Sequence, residues 1–157
     1  MFGYSGKPKG RGWYPHEFRY DKYRLQSFGN TFLSSFVIQF PYYATKGFHQ
    51  NWYWRNTIFR EWGKADRLWY SRQPWNYAAF KNSWGANVQN RIFGAGAGNT
   101  PNGYQAQTMY TGQTPAFLHP ANTFSAPVMA GFIGVTNDAP MRHQINLDLQ
   151  WMYKNGL

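Results

Sequence analysis

Apolar and polar positions divide the chain into stretches of different character. From Leu25 to Thr45 no charged residue occurs, and Phe28, Phe32, Phe36 and Phe40 recur at every fourth position. On a helical wheel Leu25, Leu33 and Val37 join the phenylalanines on one half. Ser27, Asn30, Thr31, Ser34 and Ser35 occupy the other, with Ile38 the exception among them. This period predicts a helix over 25–40, ended or kinked at Pro41. The 16 residues from Leu25 to Phe40 make ~24 Å of helix against the ~30 Å of a bilayer core. A polar face of small neutral groups suits close helix packing in a membrane, whereas Gln26, Asn30 and Gln39 are costly in hydrocarbon. The segment reads either as membrane-embedded or as buried on both faces within a protein assembly. In both cases it expects neighbours on two sides, with Phe28, Phe32, Phe36 and Phe40 as the contact residues.

A second helical pattern covers 51–72. Trp54, Ile58, Trp62, Ala65 and Trp69 form an apolar stripe, with Arg60, Lys64, Arg67 and Ser71 on the other side. Asn51 suits the N-cap and Pro74 stops the pattern. A basic amphipathic helix with tryptophan on its apolar face reads as an interfacial or docking helix, which makes Trp54, Arg60, Trp62, Lys64, Arg67 and Trp69 candidate interfacial anchors. The same stripe equally describes a surface helix covering its own core.

After Arg91 no charge appears until Asp138. This 92–137 segment, rich in Gly, Ala, Thr and Pro, is expected to be ordered but irregular and to wrap a partner. Within it Val128–Val135 is apolar yet far too short to span a bilayer. At the end of the chain, Met141, Ile145, Leu149 and Met152 have helical spacing, with Asp138 placed to cap and Gly156 at a C′ position. Ile145 to Tyr153 also alternates as a strand does, so the sequence leaves both open. At the other end, Gly and Pro punctuate residues 1–16 too densely for a regular element. These residues read as a basic extended arm carrying Phe2, Tyr4, Trp13 and Tyr14. Three parts follow: 1–91, basic, aromatic and helical; 92–137, uncharged; and 138–157, a short C-terminal element.

Composition sharpens this picture. Aromatics are 21% of the 157 residues, eight of them tryptophan, and Gly and Pro total 25. Aromatic side chains bury large areas even from an extended backbone, so the expected fold class is mainly α with long irregular segments. Two or three helices and extended arms would share a small core and be ordered by partners. Of the net charge of +10, residues 1–81 carry about +9, with 13 Lys/Arg against four acids. That asymmetry points to an anionic partner. The absence of cysteine excludes disulfides and thiol chemistry. Residues 1–16 are compatible with mitochondrial import but are not a clear Arg/Ser-rich presequence.

Catalytic patterns are missing. Gly94-Ala-Gly96-Ala-Gly98 lacks the following helix start and lysine of a phosphate loop and reads as a flexible or closely packed turn. The four histidines are scattered, and the six acids show no paired spacing. No enzyme activity, cofactor or metal is expected.

The function expected is a non-catalytic structural accessory subunit of a large membrane-bound assembly, of the respiratory-chain or ATP-synthase kind, at the mitochondrial inner membrane. It would be one copy in a hetero-oligomer, touching other protein subunits and anionic lipid such as cardiolipin. The alternatives are a structural protein of a ribonucleoprotein such as a mitochondrial ribosome, bound to nucleic acid, or one lining an acidic filament or microtubule surface.

Overall fold

A tryptophan-bearing helix forms the centre of the molecule. A computed structural model describes residues 16–28, 31–32, 34–72, 91–100, 103–106, 109–110 and 124–156, and these are mainly helical. The first elements are strands: β1 (His16–Tyr20), β2 (Tyr23–Phe28) and β3 (Thr31–Phe32). Helix α1 (Ser35–Ala44) follows, then a 3-10 turn over Lys46–Phe48. A π-helical turn, Trp54–Ile58, runs straight into α2 (Phe59–Ser71). Beyond residue 90 come the hairpin β4 (Ala97–Thr100) and β5 (Gly103–Ala106), and the short β6 (Met109–Tyr110). Helices α3 (Ala126–Val135) and α4 (Ala139–Lys154) complete the described chain. One antiparallel sheet has the order β1-β2-β3-β6, and β4-β5 forms a second.

The helix expected over 25–40 is replaced by strand and then helix. Tyr20 pairs with Tyr23, leaving a two-residue turn in which Asp21 adopts φ 55°, a conformation aspartate tolerates better than most residues. Phe28 pairs with Thr31, and the two positions between them read Gly-Asn, a pair suited to a two-residue hairpin. Phe28 and Phe32 therefore lie on strands, and only Phe36 and Phe40 lie on α1. The strand pairing outweighs the fourfold phenylalanine period, which strands can satisfy as well because side chains alternate with period two. Pro41 does not end α1. The turn beyond it is held by side chains instead, with Tyr42 Oη donating to the Gly134 carbonyl (3.0 Å) and Tyr43 Oη to that of Gly131 (3.0 Å).

The stripe over 51–72 is confirmed as a helix face, and it faces the chain's own core. Ile58, Phe59, Trp62, Ala65, Asp66, Trp69 and Tyr70 are all buried. Burying a large apolar side chain contributes about 1.5–3 kcal/mol, so this face alone anchors the fold. The β1–β2 hairpin lies along α2: the Arg24 N–H donates to Glu61 (2.6 Å), Leu25 is buried, and Arg72 reaches Asp21 at 3.6 Å.

Within the 92–137 segment, residues 92–95 and α3 supply core, while Tyr104 on β5 is exposed. Ile92, Phe93, Ala95, Val128, Met129, Phe132 and Val135 are buried with the α2 tryptophans. The 128–135 run is the body of α3, capped by Ser125, whose Oγ accepts the Val128 N–H at 3.4 Å. The C-terminal element is a helix. Asp138 accepts the Met141 N–H at 2.9 Å, Met141, Ile145 and Met152 are buried, and Gly156 closes the end at φ 72°.

Candidate functional site

Two buried carboxylates organise the interior. Asp66, on the inward face of α2, is fully buried and joins three parts of the chain. It accepts the Ser35 hydroxyl at the start of α1. It also accepts the backbone N–H of Gly94 (3.2 Å) and Ala95 (3.0 Å). Ala95 returns a bond, its carbonyl accepting the Phe36 N–H at 3.2 Å. Gly94 holds φ +99°, and a Cβ there would stand 2.5 Å from the Ser125 carbonyl oxygen, so this position requires glycine. Burial pushes the Asp66 carboxyl up to about 6 against the downward pull of its three donors. Burial, and then the nearby Asp66, push the Tyr70 phenol well above its ordinary range.

Asp148, on α4, is likewise buried. It accepts from Arg67 (2.7 Å), Arg91 (3.2 Å) and Gln144 (3.0 Å). Arg67 lies over the Phe93 ring and Arg91 over Trp151. Lys64 reaches Asp138 at 2.5 Å. Burial alone would raise the Asp138 carboxyl, but Lys64, the Met141 N–H and Arg60 together hold it below its ordinary value.

Helix α1 turns its small polar residues toward the chain's own interior. Ser34, Ser35, Ile38, Gln39 and Tyr42 turn inward, while Phe40 is 72% exposed. Gln39 donates to the Val128 carbonyl at 2.9 Å, and a Cβ on Gly131 would collide with the Gln39 amide. The small neutral face thus meets α3 through its side chains, and of the two phenylalanines on α1 only Phe40 is left outside. Beyond α1 the chain folds back on the helix end. His49 stacks on Tyr42 at 4.4 Å and its Nε2 lies 2.9 Å from the Tyr42 carbonyl. Arg55 lies over the Tyr42 ring and donates to the carbonyls of His49 (3.2 Å) and Gly134 (3.2 Å). Residues 43–47 and 49–53 are exposed, among them Tyr43, Lys46, Trp52 (72%) and Tyr53 (53%), and Phe40 is exposed on α1. The outward residues of α1 and of the loop after it are the candidate interaction residues.

The expected anchors sort differently. Trp62 and Trp69 are 1% exposed and belong to the core, as the spacing equally allowed. Trp54 and Phe36 are half-buried and pack against that core. Arg67 and Lys64 are bound to Asp148 and Asp138, and Arg60 acts on Asp138 through its charge. Nothing in the stripe therefore forms an outward tryptophan face. Asp66 was visible in the sequence as an acid four positions after Trp62 and three before Trp69, within the apolar stripe. Trp52, Tyr53 and Tyr43 carried no periodic signal. A shallow groove of about 420 Å³ between α3 and α4 is lined by Ile133, Ala139, Arg142, His143 and Asn146. Among the described residues no group of three His, Cys, Asp or Glu is placed to hold a metal, and no helix is long and apolar enough to cross a membrane.

Comparison with known proteins returns no matching family model, no matching curated protein and no matching solved structure.

Proposed function

We propose that this chain is a non-catalytic structural accessory subunit of a large membrane-bound assembly, of the respiratory-chain or ATP-synthase kind. In this reading it is one copy among other protein subunits, at the mitochondrial inner membrane. One observation carries the proposal: α1 buries Ser35 and Gln39 and leaves Phe40 outside. A helix that satisfies its polar face internally and presents an aromatic to the outside is suited to a second neighbour, and the loop after it exposes Trp52 and Tyr53 as well. Aromatic side chains are enriched at protein interfaces. The two buried carboxylates support a scaffolding role, since each is fully occupied by donors from separate segments and lies away from any solute.

Basic charge offers less to nucleic acid than its total implies, because Arg67, Arg91 and Lys64 are held by internal carboxylates. Native purification of the tagged chain, with identification of co-purifying subunits, tests the proposal. Recovery in a defined membrane complex is the expected result. Recovery with RNA that is lost after nuclease treatment would replace it with the ribonucleoprotein reading.

A further inference from the structure

We infer that the groove between α3 and α4 binds a small soluble phosphate monoester through Arg142, His143 and Asn146. The inference does not depend on the assembly reading above. Ile133 of α3 and Ala139, Arg142, His143 and Asn146 of α4 line one concavity of about 420 Å³, a volume in the range of small-molecule clefts. The three polar residues share one side of α4, since Asn146 follows Arg142 by four positions and His143 by three.

The lining selects the ligand by charge, by donors and by its apolar part. Arg142 is exposed, and no carboxylate lines the groove. The two acids beside or on α4 are committed elsewhere: Asp138 to Lys64 and the Met141 N–H, and Asp148 to Arg67, Arg91 and Gln144. An anion in the groove therefore meets a cation that no carboxylate neutralises. The donors are a guanidinium fork, an imidazole N–H in either tautomer and an amide NH2. Among the described residues none of these three side chains is held by another group. Arg55, Arg67, Arg91 and Lys64, by contrast, are each bound to a carbonyl or a carboxylate of the fold. Three separate donor groups match the three terminal oxygens of a phosphate monoester, whereas a carboxylate presents two. Ile133 and Ala139 supply apolar surface in the same groove for the organic part of the ester.

The test titrates the purified full chain with phenyl phosphate at constant ionic strength and follows its backbone amides by two-dimensional NMR. Inorganic phosphate and benzoate are titrated in parallel, as the anion without an organic part and as the carboxylate counterpart. The expected result is saturation below about 10 mM, with shifts centred on Ile133, Ala139, Arg142, His143 and Asn146, and tighter binding of phenyl phosphate than of either comparison anion. Arg142→Gln should weaken binding at least about tenfold, and His143→Ala and Asn146→Ala several-fold each. All three should keep the native thermal transition, because the substituted side chains are exposed. Lys154→Gln removes an exposed cation ~18 Å further along α4 and should leave binding unchanged. Shifts that do not saturate overturn the inference, as does an undiminished affinity in Arg142→Gln. An equal loss in Lys154→Gln and Arg142→Gln also overturns it, since that is a diffuse response to charge. Tighter binding of benzoate than of phenyl phosphate overturns the phosphate assignment. So does Arg142-dependent flotation with phosphatidic acid vesicles when the soluble ester does not bind.

Discussion

Asp66 makes stability depend on pH in the opposite sense to most carboxylates. Its ordinary value is 3.8 and burial raises it to about 6 in the folded chain. The folded state therefore holds this proton more tightly than the unfolded chain does. Below about pH 4 both states are protonated and the preference for the folded form is fully present. As pH rises from about 4 to about 6, the unfolded chain loses its proton first, and the fold loses stability. A shift of about 2 units at 1.36 kcal/mol each gives a loss of about 3 kcal/mol across that window. The assay is urea unfolding at a series of pH values for the native chain and for Asp66→Asn, which removes this titration and leaves the others. The native-minus-variant difference should fall by about 3 kcal/mol between pH 4 and 6 and then level off. Ser35→Ala provides a second check, because removing a donor to the carboxylate pushes its value up further and extends the window to higher pH. A flat difference curve, or one rising with pH, would show that the donors Ser35, Gly94 and Ala95 outweigh burial, and the argument from desolvation would fail.

Asp138 should behave in reverse. Its folded value is depressed, so its cap and its Lys64 pair stabilise above the ordinary carboxylate range and fade as pH falls. Asp138→Ala is expected to cost about 1–2 kcal/mol at neutral pH and nothing measurable once the carboxylate is protonated, as read by urea unfolding at both conditions. Trp62→Ala should cost about 3–5 kcal/mol, whereas Trp52→Ala should stay within about 0.5 kcal/mol. Equal losses in thermal unfolding would contradict the assignment of one tryptophan to the core and the other to the surface. Gly94→Ala should lower the unfolding temperature markedly, through both its positive φ and the collision with Ser125. Gly103→Ala, with a positive φ but nothing within 4 Å, should cost only the strain, about 1–2 kcal/mol.

The sequence shows what kind of contact α1 makes but not with what. Its lack of charge and its small polar residues indicate a helix closely packed against a neighbour, and Gln39, Tyr42 and Tyr43 do meet the backbone of α3 across Val128, Gly131 and Gly134. Membrane helices use the same small residues because lipid offers no hydrophobic drive between helices. Here the neighbour is a segment of the same chain almost 90 residues away, and no local period encodes so distant a partner. The α2 stripe was legible because burial and helix share one period. The strands over 16–32 were obscured because phenylalanine at every fourth position fits both a helix face and a strand face, and only the turn residues separate the two. The position of Asp66 was visible but its role was not, for a related reason: an acid within an apolar stripe has meaning only once its donors are known, and those come from Ser35 and the Gly94–Ala95 backbone. Once α3 occupies the side of α1 that carries its polar residues, Phe40 stands on the other side. The expectation of two neighbours for this segment is then met on one side within the chain, and Phe40 marks the side that α3 leaves open.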